Sequence, residues 1–244
     1  MNKANTINEV IFVLEHYIDT CYETKSPMGY FASLYTRVTL AVKQGIDEGI
    51  FQDNERMERL DVNFANYFLN NLDQANMVWQ SVFDQAQNKK LVISQHLLLG
   101  MNAHINYDLA FATFETQEMS KEPMNDLYKD YLLINTILQE QIDAVQERIN
   151  RSWWVYRLLD KLFLRFDEIY IQFRLICARD SAWEYATKLH VGTSKEQIRK
   201  ELESLTHDYL LDITKPSWLF KIFTAINRFF ESQSVRKNID LLRP

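Results

Sequence analysis

LVISQHLLLGMNAHINYDLAFATF, residues 91–114, holds a single formal charge, Asp108, together with two imidazoles, His96 and His104. Projected at ~100° per residue with His96 at zero, Gly100 falls near ~40°, His104 near ~80° and Asp108 near ~120°, a slanted polar stripe. Gln95, Asn102 and Asn106 form a second stripe near ~240–280°, and Leu98, Met101, Ile105, Leu109 and Ala112 fill the arc between them. A helix that is apolar or neutral all round is the central helix of a bundle. It is too often interrupted by polar groups to span a membrane. Burying two imidazoles and a carboxylate without partners costs several kcal/mol, so such groups are either paired or placed on a metal. Gly100 gives up about 1 kcal/mol against alanine in mid-helix, which predicts the close approach of a neighbouring helix or a ligand.

Outward from this segment the pattern stays helical. Ile7, Val10, Ile11, Leu14 and Ile18 recur at helical spacing. Ser26-Pro27 opens a helix to about Lys43, Gly45 and Gly49 bracket a loop, and Asp53 caps the helix ERMERLDVNFANYFLNNL. A short helix over ~74–86 follows and ends at Lys89-Lys90. Further helices run from Ser120–Pro123 to about Asn150, from Trp153 to about Leu189, after a capping box at Thr193–Glu196, and from Thr214-Lys215-Pro216 onward. With no linker, repeat or low-complexity run, the expectation is one all-α domain over 1–244, a bundle of eight to ten helices around 91–114.

Composition agrees. Five Gly and four Pro among 244 residues favour long helices over many short strands. A net charge of −6 offers no basic field for nucleic acid. Cys21 and Cys177 are far apart and belong to no spaced metal pair; Cys177 reads as a small core residue. The N-terminus MNKANTINEV lacks a signal-peptide layout, so a cytoplasmic location is expected. No Gly-rich phosphate loop, Gly-x-Ser-x-Gly elbow or Cys-x-x-Cys pair occurs, which removes the commonest NTPase, hydrolase and redox classes.

Two other helices carry carboxylates at inward positions. Asp61 lies within about 80° of Met57, Phe64, Ala65, Phe68, Leu69 and Leu72. Asp180 falls among Ile169, Phe173, Ile176 and Trp183. Imidazole and carboxylate ligands from facing helices suit zinc, iron or manganese. The expected shell is Asp61, His104, Asp108 and Asp180 around a transition metal (Zn or Fe). His96, roughly 12 Å along the axis from His104, is set apart as an auxiliary base, so the catalytic expectation is His96, His104 and Asp108. The spacing is neither the Glu-x-x-His of di-iron bundles nor the His-Glu-x-x-His of zinc proteases. The competing expectation is structural: His104 and Asp108 pair within the helix, and Arg174 or Arg179 neutralises Asp61 or Asp180.

His16, His190 and His207 read as surface residues. The stretches SWWVYRLLDKLFLRF and SWLFKIFTAINRFF join aromatic with basic residues, a composition of membrane interfaces and of aromatic bundle cores alike. Core packing is the favoured reading, with peripheral membrane contact the alternative.

PMGYFASLYTRVTLAVKQGI, ERMERLDVNFANYFLNNL and above all QHLLLGMNAHINYDL resemble a bacterial domain family of unknown function, and RLICARDSAWEYA extends the likeness. That resemblance implies an all-helical domain and carries no activity. The functional expectation is a metal-dependent hydrolase or oxidase acting on a small or lipid-like substrate. Its alternative is a non-enzymatic helical binding or scaffold protein.

Overall fold

The computed structural model describes residues 3–120, 123–152, 165–215 and 231–244, with 218, 221, 224–225 and 228–229 between, and the side chains of these except at 146, 149–152 and 165–174. Among them every regular element is a helix. In chain order these are α1 (Ile7–Thr24), α2 (Met28–Glu48), α3 (Asn54–Asp73), α4 (Met77–Ala86) and α5 (Ile93–Met101). A π-helical segment (Asn102–Asp108) continues α5 into α6 (Leu109–Ser120). Then come α7 (Met124–Ser152), α8 (Arg165–His190), α9 (Lys195–Thr214) and α10 (Val235–Leu242). The core-packing expectation for the two aromatic–basic stretches lies largely outside the described residues, which omit 153–164 and most of 216–230. No helix among the described residues is long and apolar enough to cross a membrane.

Caps fix several of the boundaries. Thr6 accepts a hydrogen bond from the Glu9 amide at the start of α1, and Asp53 does the same for Arg56 at the start of α3, each satisfying one of the orphan amides of a first turn. Gly49, at φ 71°, ends α2 in a left-handed cap. Gly45 opens no loop: it lies inside α2, which runs five residues past the expected Lys43, and its bare surface accommodates Ile50 and Phe51. The expected capping box of α9 is not made. Ser194 rather than Thr193 holds the N-cap position, without a side-chain bond, so Glu196 falls at the second helical position, one short of what a capping box needs, and pairs with Arg199 at 2.8 Å.

The 93–120 helix is the hub. Its successive parts pack on α2, α3, α4, α8 and α9, and most of its residues are buried. The Gln–Asn stripe serves this packing. Gln95 donates to the Ile213 carbonyl (2.7 Å), Asn102 to the Thr206 carbonyl (2.9 Å) and Asn106 to Asn102 (2.9 Å), tying the hub to α9. At Gly100 the neighbour is a helix: a Cβ there would stand 2.3 Å from Cγ of Phe31 on α2.

α8 is rotated from its expected orientation. Leu175, Arg179, Ala182, Ala186 and Leu189 are buried, whereas Ile176, Cys177 and Asp180 are exposed. The buried edge is built from alanines because α8 lies against α6, whose Ala110, Ala112 and Thr113 are fully buried. Small side chains on both helices permit that close approach, so the larger Ile176 faces water.

Candidate functional site

The π turn builds the centre of the site. Inserting a residue into the α-helical ladder leaves the Leu109 amide bonded to the His104 carbonyl, five residues back. Such single π turns cluster at functional positions. With more residues per turn, positions i and i+4 come nearly into line, and His104 Nδ1 sits 3.1 Å from Asp108 Oδ2. The same oxygen accepts the indole N–H of Trp79 on α4 at 2.9 Å. Trp79 is fully buried, and its single donor needs an acceptor. Asp108 Oδ1 and His104 Nε2 have no hydrogen-bond partner among the described residues.

Around the imidazole stands an aromatic box. Phe64 stacks on it at 3.6 Å with the rings 5° from parallel, and Tyr35 meets it edge-on at 4.6 Å. Phe31, Phe68 and Trp79 close the remaining sides. In this surrounding, burial pushes the Asp108 carboxyl well above the usual carboxylate range, against the opposing pull of the Trp79 bond. Burial also pushes His104 well below the ordinary imidazole value. Both directions favour the uncharged forms of the hydrogen-bonded pair.

Asp61 of α3 is the second centre. It is 8 % exposed, and its Oδ2 has no partner among the described residues. Burial, with Glu58 nearby as a lesser cause, raises its carboxyl to about 7. Tyr35 is fully enclosed and lies in the fields of both Asp61 and Asp108, which, after burial itself, hold its hydroxyl well above the usual phenol range.

Asp61, Tyr35 and His104 line one cavity of about 70 Å³. Its other walls are apolar, drawn from α2, α3, the hub and α7, and Arg179 of α8 completes it. Lining residues run from Phe31 to Val42 on α2 and from Ile134 to Ile142 on α7. These spans correspond to roughly 16 Å and 12 Å of helix at 1.5 Å per residue. The cavity is therefore a narrow slit.

The four-ligand metal shell expected from the sequence is not assembled. Among the described residues no three His, Cys, Asp or Glu side chains are grouped to hold a metal ion. Asp180 is exposed on the far side of its helix. Asp61 and His104 line one cavity and His104 bonds Asp108, but aromatic rings occupy the space around the imidazole. No zinc or iron ligand set follows from them. His96 is buried at 8 % exposure away from the slit, edge-on to Tyr30 at 5.8 Å, and burial lowers it to about 4. Arg179 does not neutralise Asp61: it bonds Asn135 and the Tyr131 carbonyl. His16 and His207 are exposed, as is His190, which bonds Glu118.

Tyr35 and Trp79 belong to the site although the sequence alone did not name them. A fully buried indole in need of an acceptor could have pointed to Asp108; Arg179 was expected only as an ion partner of Asp61 or Asp180, not as a wall of the cavity.

Residues 7–216 match the profile of a family described only as a family of unknown function, DUF5995. The chain belongs to this family. No curated protein and no solved structure matches the chain. Membership supplies no reaction, so the function has to be argued from the slit.

Proposed function

We propose that this member of the family binds a small, mostly apolar molecule in the slit between α2, α3 and α7, and that Asp61 and His104 hydrogen-bond its polar group. One observation carries the reading: Asp61 Oδ2 and His104 Nε2 are buried, lack partners among the described residues, and belong to side chains that line the same cavity. An unpaired buried polar atom costs about 1–3 kcal/mol, and a molecule offering a hydroxyl, amide or carboxyl group would relieve both at once. A purely structural role gives no return for that cost.

A carboxyl near 7 beside a neutral imidazole is also suited to moving a proton on a bound molecule. If the site is catalytic, its chemistry is acid–base, with Asp61 exchanging the proton and Asp108 orienting His104 through Nδ1. This reading replaces the metal-dependent hydrolase or oxidase expected from sequence, because the groups act on the molecule directly.

Calorimetric titration of the full chain with hexan-1-ol, benzene and indole near pH 6 tests the binding. Saturable uptake of at least one of them is expected. Asp61→Leu, which fills the slit and removes one orphan group, should abolish that uptake while leaving the protein folded. Absence of saturable binding for all three, in a wild-type chain whose stability equals that of Asp61→Leu, would reduce the slit to a packing defect.

A further inference from the structure

The slit has a charged wall that the binding reading above leaves unused. Arg179 is 3 % exposed and lines the cavity. Its Nε donates to Asn135 Oδ1 at 2.5 Å and its Nη2 to the Tyr131 carbonyl at 2.7 Å. The guanidinium lies 4.2 Å above the Tyr131 ring, and the Tyr131 hydroxyl returns a 2.7 Å bond to the Arg179 carbonyl. Each of these partners is neutral. Asp180, the exposed next residue, acts on the guanidinium at longer range only, and no carboxylate among the described residues forms an ion pair with it.

This contrasts with Arg56, the other arginine buried among the described residues, which has Asp53 and Asp130 within 3.9 Å. A buried cation held among neutral groups is unfavourable unless an anion joins it. The clamp on Arg179 leaves Nη1 without a hydrogen bond among the described residues, while its fork stays fixed in plane.

The shape of the slit restricts what the anion can be attached to. Leu34, Val38, Val42, Leu138 and Ile142 give it aliphatic walls over several helical turns. That is the shape of an alkyl chain. Met57 and Met101 also line it, and thioether side chains yield readily to admit a chain wider than the empty slit. The free Nη1 can donate to a carboxylate oxygen, and among the described lining residues there is no second Lys or Arg to balance a doubly charged phosphate.

We infer that the occupant is an aliphatic monocarboxylic acid, its carboxylate paired with Arg179 and its chain lying in the slit toward Val42 and Ile142. The inference rests on the binding reading above and adds the class of ligand.

Octanoate and octan-1-ol, titrated separately into the full chain near pH 6, test it. Octanoate is expected to bind about tenfold more tightly than the alcohol. In Arg179→Gln that preference should disappear while the affinity for octan-1-ol stays within about twofold. Should Arg179→Gln fail to fold, methyl octanoate on the wild type takes its place and is expected to bind like the alcohol. Equal affinity for octanoate and octan-1-ol on the wild type would overturn the carboxylate assignment and leave the apolar pocket standing. A preference that persists in folded Arg179→Gln would overturn it as well, by moving the anion to another group. Binding of neither octanoate, octan-1-ol, hexan-1-ol, benzene nor indole would instead sink the pocket itself.

Discussion

Two buried aspartates face each other across the logic of this fold. Asp130 on α7 is 2 % exposed and fully employed: it accepts the amides of Gln52 and Asp53 at 2.8 and 3.1 Å, with Arg56 Nη2 at 3.9 Å. It pins the α2–α3 connection to α7. Asp61, 8 % exposed, has an oxygen with no partner among the described residues and an apolar slit in front of it. One carboxylate contributes to stability by its bonds, and the other reduces stability by the lack of them. The difference separates a group that holds the chain together from one kept ready for something else, in keeping with the stability sacrificed at functional sites.

The largest expected effect is at Asp130. Asp130→Ala strips two amides of their acceptor and removes a charge partner of Arg56, so a loss of about 3–5 kcal/mol is expected. It should appear as a lower urea midpoint at unchanged slope. A loss below about 1 kcal/mol would erase the contrast between the two carboxylates.

At Asp61 the sign reverses and depends on pH. Its carboxyl titrates near 7 in the native state and near 4 when unfolded. Between those values the native chain binds more protons, so this group makes stability fall as pH rises from about 4 to about 7 and stay low above. Three units correspond to an upper bound of about 4 kcal/mol. Asp61→Asn should therefore match the wild type near pH 4 and exceed it by about 2–4 kcal/mol near pH 8. Thermal unfolding of both proteins across that range reads the difference. If Asp61→Asn keeps the full pH slope, the strain belongs to Asp108 instead.

The Asp61 side of this contrast was legible in the sequence, whereas Asp130 was not singled out there. Asp61 sits amid Met57, Phe64, Phe68 and Leu72 at helical spacing, and a strongly amphipathic helix leaves little doubt about its inner face. His104 and Asp108, four apart, paired as either kind of helix requires. α8 was not legible in the same way, because what it buries are Ala182, Ala186 and Arg179 while Ile176 faces out. Hydrophobicity misleads when close helix packing selects small residues. The π turn left no mark either, since one extra residue in a helical turn changes no residue type. Asn135 and Tyr131, which hold Arg179, lie more than forty positions from it, a pairing that only the tertiary fold creates.

Asp108 stands between the two extremes, with one oxygen used twice and the other bare. Which side it belongs to depends on its charge. A double-mutant cycle of Trp79→Phe and Asp108→Ala reads that charge, because the coupling term removes the separate costs of shrinking a buried indole and deleting a carboxyl. A neutral carboxyl accepting an indole N–H should give a coupling of about 1 kcal/mol near pH 6, the smallest effect expected here. A coupling of about 2–3 kcal/mol would signal a charged acceptor. In that case Asp108 would be a held charge, and Asp61 alone would carry the proton chemistry of the slit.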